Sequence, residues 1–224
     1  MKSISIFALA AFMSLSSSLS AEEKPVSNVA IVGGGCFWCV ESTYKLVPGI
    51  KALTSGYSGG KTKNPTYEDI CTGETGHAEV VKVEFDPAVI SYRKVLDLFF
   101  EMHDPTTITK EDMQKYGKFI PKGTPYQGND YGTQYRSIIM YANEEEKKIA
   151  EESKAAAQKD WKDPIVTEIV PVAEFYPAEE YHQDFADRNP NQGYVRGVVV
   201  PKTAKFRQVL EKKGEKIAEP GDVK

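Results

Sequence analysis

Apolar positions along this chain switch between two periods, and the switches outline a mixed fold. Residues 27–32 form a short apolar run with the look of a buried strand, ending in Gly33-Gly34-Gly35. Residues 36–47 read as a helix closed by Pro48-Gly49. Residues 50–57 suggest a second strand, broken by Ser58-Gly59-Gly60, and 61–77 read as loop with an Asn64-Pro65 turn. Residues 78–85 alternate: Glu79, Val81, Val83 and Phe85 share one face, while Lys82, Glu84 and Asp86 share the other with Val80. Residues 91–103 predict a helix with a stripe of Val95, Leu96, Phe99 and Phe100. A long segment, 104–132, is rich in Gly, Pro, Thr and Asn, and loops of that length in a compact domain are usually functional. Residues 133–141 predict another strand. Asn143 starts a charged helix, with Glu146 completing a capping box. Residues 165–172 predict the last strand. The rest reads as mostly irregular, with short helical pieces near 178–188 and 203–212.

The order from 27 to 141 is therefore β-α-β-β-α-β, the split βαβ pattern. The expected class is a two-layer α/β (α+β) fold with a ferredoxin-like βαββαβ core, an extra helix and strand, and a long irregular C-terminal segment.

Composition adds the export question. Lys2 is the only charge before Glu22, and between them an apolar run from Ile4 to Met13 leads into Ser18-Leu19-Ser20-Ala21. A basic start, a short apolar run and small residues before a cut describe a secretory signal peptide, cleaved after Ser20. The run is too short to span a bilayer, although an uncleaved anchor is the alternative. Residues 21–224 then form a single domain, exported to a periplasm or secreted. The net charge of −4, with Lys and Glu intermixed, argues against a nucleic-acid partner.

The three cysteines are Cys36, Cys39 and Cys71, too few for a disulfide scaffold. Cys36 sits where a strand and three glycines give way to a helix, and helix N-termini favour a thiolate. The glycines leave room for a substrate to approach the backbone. Cys39, three residues on, lies one turn away on the same face, so a disulfide is geometrically possible. The bland alternative is a pair of inert, buried cysteines. Cys71 reads as an incidental thiol. With its strand's charged face outward, Glu79 points into an apolar layer, where desolvation raises a carboxyl pKa and fits it to act as an acid. A strand-end Glu that reaches solvent or pairs with His77 is the alternative. Phe37 and Trp38 flank Cys36, Tyr57 ends a strand facing a glycine turn, and Tyr135 follows Asn129-Asp130-Tyr131-Gly132 at another strand start. Tyrosine hydroxyls can hold an oxygen while their rings line an apolar slot. Asp130 alone would be a turn residue.

These residues carry a resemblance. The segment 34–41, Gly-Gly-Cys-Phe-Trp-Cys-Val-Glu, resembles the signature of the peptide methionine sulfoxide reductase A family. The resemblance continues in order through 56–60, 64–67, 75–80, 103–106, 127–137 and 180–183. It implies reduction of methionine S-sulfoxide, free or in proteins, without a cofactor or metal. Cys36 would attack the sulfoxide sulfur and Glu79 would protonate the oxygen. Tyr57 and Tyr135 would hydrogen-bond that oxygen, and Asp130 would support the network. Phe37 and Trp38 would cradle the S-methyl group, with Tyr194 also lining the substrate site. Many relatives carry a resolving cysteine just after a Gly-Tyr pair near the C-terminus. Here Gly193-Tyr194 is followed by Val195. Cys39, where many relatives carry Gly, becomes the candidate resolver and Cys71 the lesser one. Recycling would need a thioredoxin or thioredoxin-like donor. The chain is expected to be a monomer.

Three other readings stay open on residues alone. CxxC at a helix start is also the motif of general dithiol oxidoreductases. His77-Ala78-Glu79 matches the H-x-E of zinc deaminases, although their P-C-x-x-C comes after it. A non-catalytic binding module is the third.

Overall fold

The computed structural model describes residues 26–115, 117–219 and 221–223. The predicted signal segment and its cut lie outside them.

The strands are β1 Val29–Gly33, β2 Ile50–Ser58, β3 Ala78–Phe85, β4 Met113–Lys115, β5 Lys118–Ile120, β6 Tyr126–Gln127, β7 Asp130–Tyr131, β8 Ile138–Tyr141, β9 Glu168–Pro171 and β10 Phe175–Pro177. The helices are α1 Phe37–Tyr44, α2 Tyr67–Thr72, α3 Tyr92–Met102, α4 Glu144–Ala157, α5 Phe185–Arg188 and α6 Val200–Lys212. The main sheet has the order β10-β2-β3-β1-β8-β9. Its inner four strands form the expected split βαβ core: β1 lies antiparallel between β3 and β8, with β2 antiparallel outside β3. α4 carries the chain across to β9, which lies parallel to β8.

The alternation in β3 decides the layers. Val81, Val83 and Phe85 join Phe37, Val40, Leu96 and Phe99 in the main core beneath the helices. The opposite face holds a smaller apolar cluster of Ile31, Ala78, Val80, Ile138 and Met140. Glu79 shares the main-core face and is 2% exposed.

Local chemistry sets the helix starts. Ser91 accepts the Lys94 N–H at the head of α3. Asn143 accepts the Glu146 N–H at the head of α4. The Glu146 carboxylate reaches one residue further back than a capping box requires, taking the N–H groups of Ala142 and Ser27 and tying β1's lead-in to α4.

The structure corrects three expectations. The predicted loop 61–77 contains α2, started by a reciprocal Thr66–Asp69 capping box. It is too short to show a period. Residues 133–137 are not strand: Gly132 takes φ +142° and a 3₁₀ turn at Thr133–Tyr135 delays the sheet to Ile138. The sheet gains β10 on the edge of β2, so β9 is not the last strand. The helical piece expected near 203–212 is α6, extended at its start by a wide turn at Val195–Val199. The wide turn stands just before Pro201, which has no N–H to give to a preceding carbonyl. The long segment 104–132 is two small hairpins, β4–β5 and β6–β7.

Candidate active site

One end of the sheet gathers the predicted residues. β1 ends at Gly33, beside the start of its antiparallel neighbour β3, and the chain turns into α1 with Cys36 at its N-cap. Tyr57, near the end of β2, pairs directly with Glu79 on β3, so the two side chains stand together on one face. β7 brings Asp130, the following turn brings Tyr135, and the approach to α6 brings Tyr194.

The glycine loop has a different physical reason from the expected one. The space over Gly34 is filled by His103 and Phe99, and that over Gly35 by Gln127. A Cβ on Gly35 would lie 2.8 Å from the Gln127 side chain, and its φ is +97°. The glycines thus let the protein's own side chains pack onto the Cys36 loop. Gly35→Ala is expected to destabilise the fold by about 1–3 kcal/mol, the scale of strained backbone, and to lower the melting temperature by several degrees; an unchanged melting curve would refute the packing argument.

Cys36 and Cys39 are buried free thiols in hydrogen-bond contact. Burial, the Cys39 contact and nearby Glu79 push the Cys36 thiol well above its ordinary pKa. The hydrogen bond from Cys36 draws Cys39 down, with burial opposing and Lys202 assisting. Burial thus opposes the thiolate that a helix start favours at Cys36, while the contact with Cys36 favours it at Cys39. Cys71 is exposed on α2.

Glu79 behaves as its strand pattern predicts. Burial pushes its pKa up to about 8, against the N–H of Phe37, which donates to its Oε2 at 3.1 Å; Asp130 and Cys39 add to the rise. At neutral pH it holds a proton beside Cys36. It does not pair with His77. The ring of His77 is engaged by Gly60 N–H (3.0 Å) and Thr62 C=O (2.8 Å), which pins the glycine turn after β2. Among the described residues no group of three His, Cys, Asp or Glu converges as a metal site.

The aromatic groups close around these atoms. The Phe37 ring lies 5.9 Å from that of Tyr57. Trp38 stacks flat on Phe185 at 3.7 Å and meets Tyr194 edge-on at 5.8 Å. Burial, then Glu79 and Cys36, raise the Tyr135 phenol above its ordinary pKa, so it stays protonated as a donor. Tyr194 donates to Asp130, whose carboxyl burial pushes upward. The Tyr57 hydroxyl donates to Glu179 Oε2 at 2.9 Å. Sequence reasoning missed Glu179 and passed over His182, which packs against Phe37 at 5.0 Å. Neither stands out by spacing, since both lie in an irregular stretch.

A sequence profile described as "Peptide methionine sulfoxide reductase" matches residues 28–214. The chain belongs to that family. Family membership makes its activity the thiol-dependent reduction of methionine sulfoxide. It is 51% identical over 179 residues to the peptide methionine sulfoxide reductase MsrA of Sulfolobus acidocaldarius, covering 80% of this chain and 93% of the relative. It is 46% identical over 186 residues to that of Pasteurella multocida, covering 83% and 98%. Among solved structures, reduced Mxr1 of Saccharomyces cerevisiae superposes with a TM-score of 0.62 at 31% identity, covering 78% of this chain and 92% of that one. Methionine sulfoxide reductase A of Corynebacterium diphtheriae gives 0.60 at 32%, covering 75% and 78%. The fold assigned from sequence is thus the family's fold.

Proposed function

We propose that this enzyme reduces the S epimer of methionine sulfoxide, free or within oxidised proteins, through Cys36, with Glu79 as acid and Cys39 as resolving thiol. The observation that carries this is one buried carboxyl, still protonated at neutral pH, beside a contacting thiol pair under an aromatic wall.

The sulfoxide methyl packs against Phe37 and Trp38. Glu79 gives its proton to the sulfoxide oxygen, assisted by hydrogen bonds from Tyr135 and Tyr57. The Cys36 sulfur bonds to the substrate sulfur, and its own proton passes to the Glu79 carboxylate. The hydroxyl then passes from the substrate sulfur to the Cys36 sulfur as the bond between the two sulfurs breaks, leaving Cys36 as a sulfenic acid and releasing methionine, the substrate sulfur reduced by two electrons and Cys36 oxidised by two. Cys39 then attacks the Cys36 sulfenic sulfur, forming the disulfide and releasing water. Cys39 makes that second attack as the thiolate, the nucleophilic form. A thioredoxin-like dithiol would reduce the Cys36–Cys39 disulfide. With the leader read as a signal, that donor works outside the cytoplasm.

Cys39→Ser tests the resolving step. This variant is expected to release one equivalent of methionine per enzyme and then lose recycling by thioredoxin. Steady-state turnover with thioredoxin at the native rate would move the role to Cys71 or to direct reduction of the sulfenic acid.

A further inference from the structure

His182 and Glu179 take no part in the steps above, yet both stand against residues that do. His182 is 1% exposed and neither ring nitrogen has a hydrogen-bond partner. Its ring is boxed by Phe37, Trp38 and Tyr67, with centroids 5.0, 5.5 and 4.5 Å away. A buried polar group without a partner is costly and calls for a reason. Burial keeps the imidazole below its ordinary pKa, so it is neutral and carries one N–H. Nε2 lies 3.8 Å from Glu179 Oε2, beyond hydrogen-bond reach. That same oxygen accepts the Tyr57 hydroxyl at 2.9 Å, while Oε1 accepts the Tyr67 N–H at 2.8 Å. A phenol has a single proton. While Tyr57 donates to Glu179, it cannot donate to a sulfoxide oxygen.

We infer that His182 and Glu179 form a hydrogen-bond hand-off that frees Tyr57 for the substrate. As the sulfoxide oxygen arrives, the Tyr57 O–H turns to it, and the Nε2–H of His182 closes onto the vacated Oε2 of Glu179. The closure is roughly 1 Å, from 3.8 Å to an ordinary hydrogen bond. The exchange leaves the Glu179 carboxylate as well satisfied as before, and it gives His182 the partner it lacks. Without His182, each turn of Tyr57 would strip a donor from a carboxylate. Both are positioning residues, since neither touches the reacting atoms. The inference rests on the proposed role of Tyr57 as donor to the sulfoxide oxygen.

The test is a cycle of single-turnover rates for Tyr57→Phe, His182→Phe and the pair together, with thermal unfolding checked for each. The phenyl ring keeps the packing of His182 and removes its N–H. Tyr57→Phe is expected to slow methionine release about tenfold, the scale of one lost hydrogen bond to a charged centre. His182→Phe should lower the saturating single-turnover rate by a similar factor with the half-saturating sulfoxide concentration nearly unchanged, and the double variant should be no slower than Tyr57→Phe. His182→Gln, which keeps a donor, should recover part of the rate. A native rate in Tyr57→Phe would overturn the reading of Tyr57, and the hand-off with it. If Tyr57→Phe is slow but the two effects multiply, or His182→Phe is native, only the hand-off falls. A second measurement does not depend on the folding of His182 variants. In ¹⁵N-histidine-labelled Cys36→Ser protein, saturating methionine sulfoxide should move the His182 Nε2 signal downfield, as a new hydrogen bond would. A signal that stays in place overturns the hand-off.

Discussion

Cys36→Ser is expected to release no methionine at all, in single turnover or with any reductant. The serine oxygen cannot accept an oxygen atom and leave it for a neighbouring thiol to remove, so both half-reactions fail together. The site itself should survive. Cys36 is the N-cap of α1, Ser is a favoured residue at that position, and the buried volume barely changes. The variant should therefore keep the native melting temperature while losing activity to the background of the assay. Methionine release at the native rate would remove Cys36 from the mechanism and leave Cys39 or Cys71 as nucleophile.

Glu79→Gln is the second large effect. The amide keeps the size of the carboxyl and still meets the Phe37 N–H through its oxygen, but it cannot give up a proton. Loss of a general acid is expected to slow the reductive step by about a hundredfold or more. The pH profile carries a sharper signature. The folded-state pKa of about 8 is raised above the ordinary carboxyl value, so the acid form persists up to neutrality and is lost as pH rises through 8. The native reductive rate should fall on that alkaline limb, and Glu79→Gln should lose this limb. The same shift has a stability sign. The folded state holds a proton that the unfolded chain releases between its ordinary carboxyl pKa and 8, so this group's contribution to stability declines as pH rises across that window. A reductive rate insensitive to the substitution would refute the acid role.

The parts of this account legible in the sequence were those with a repeating signal. The period-two alternation of β3 put Glu79 in the core, and the strand–glycine–helix transition put Cys36 at a helix start. The split βαβ order followed from the same periods. What escaped had no period to show. α2 has six residues and is marked only by Thr66 and Asp69. β10 is a three-residue edge strand held by pairing to β2. The burial that opposes a Cys36 thiolate is also invisible in sequence, where only the helix start shows. Glu179 and His182 are joined to Tyr57 and Phe37 only by tertiary folding.

The central claim is that Cys36 takes the oxygen and Cys39 closes the disulfide. The most direct measurement is mass spectrometry of the native protein after one equivalent of methionine S-sulfoxide without reductant. One methionine should be released, with a protein lighter by two hydrogens, a peptide closed between Cys36 and Cys39, and Cys71 as free thiol. A bond to Cys71, or an oxygen retained on Cys36 with Cys39 still free, would contradict it.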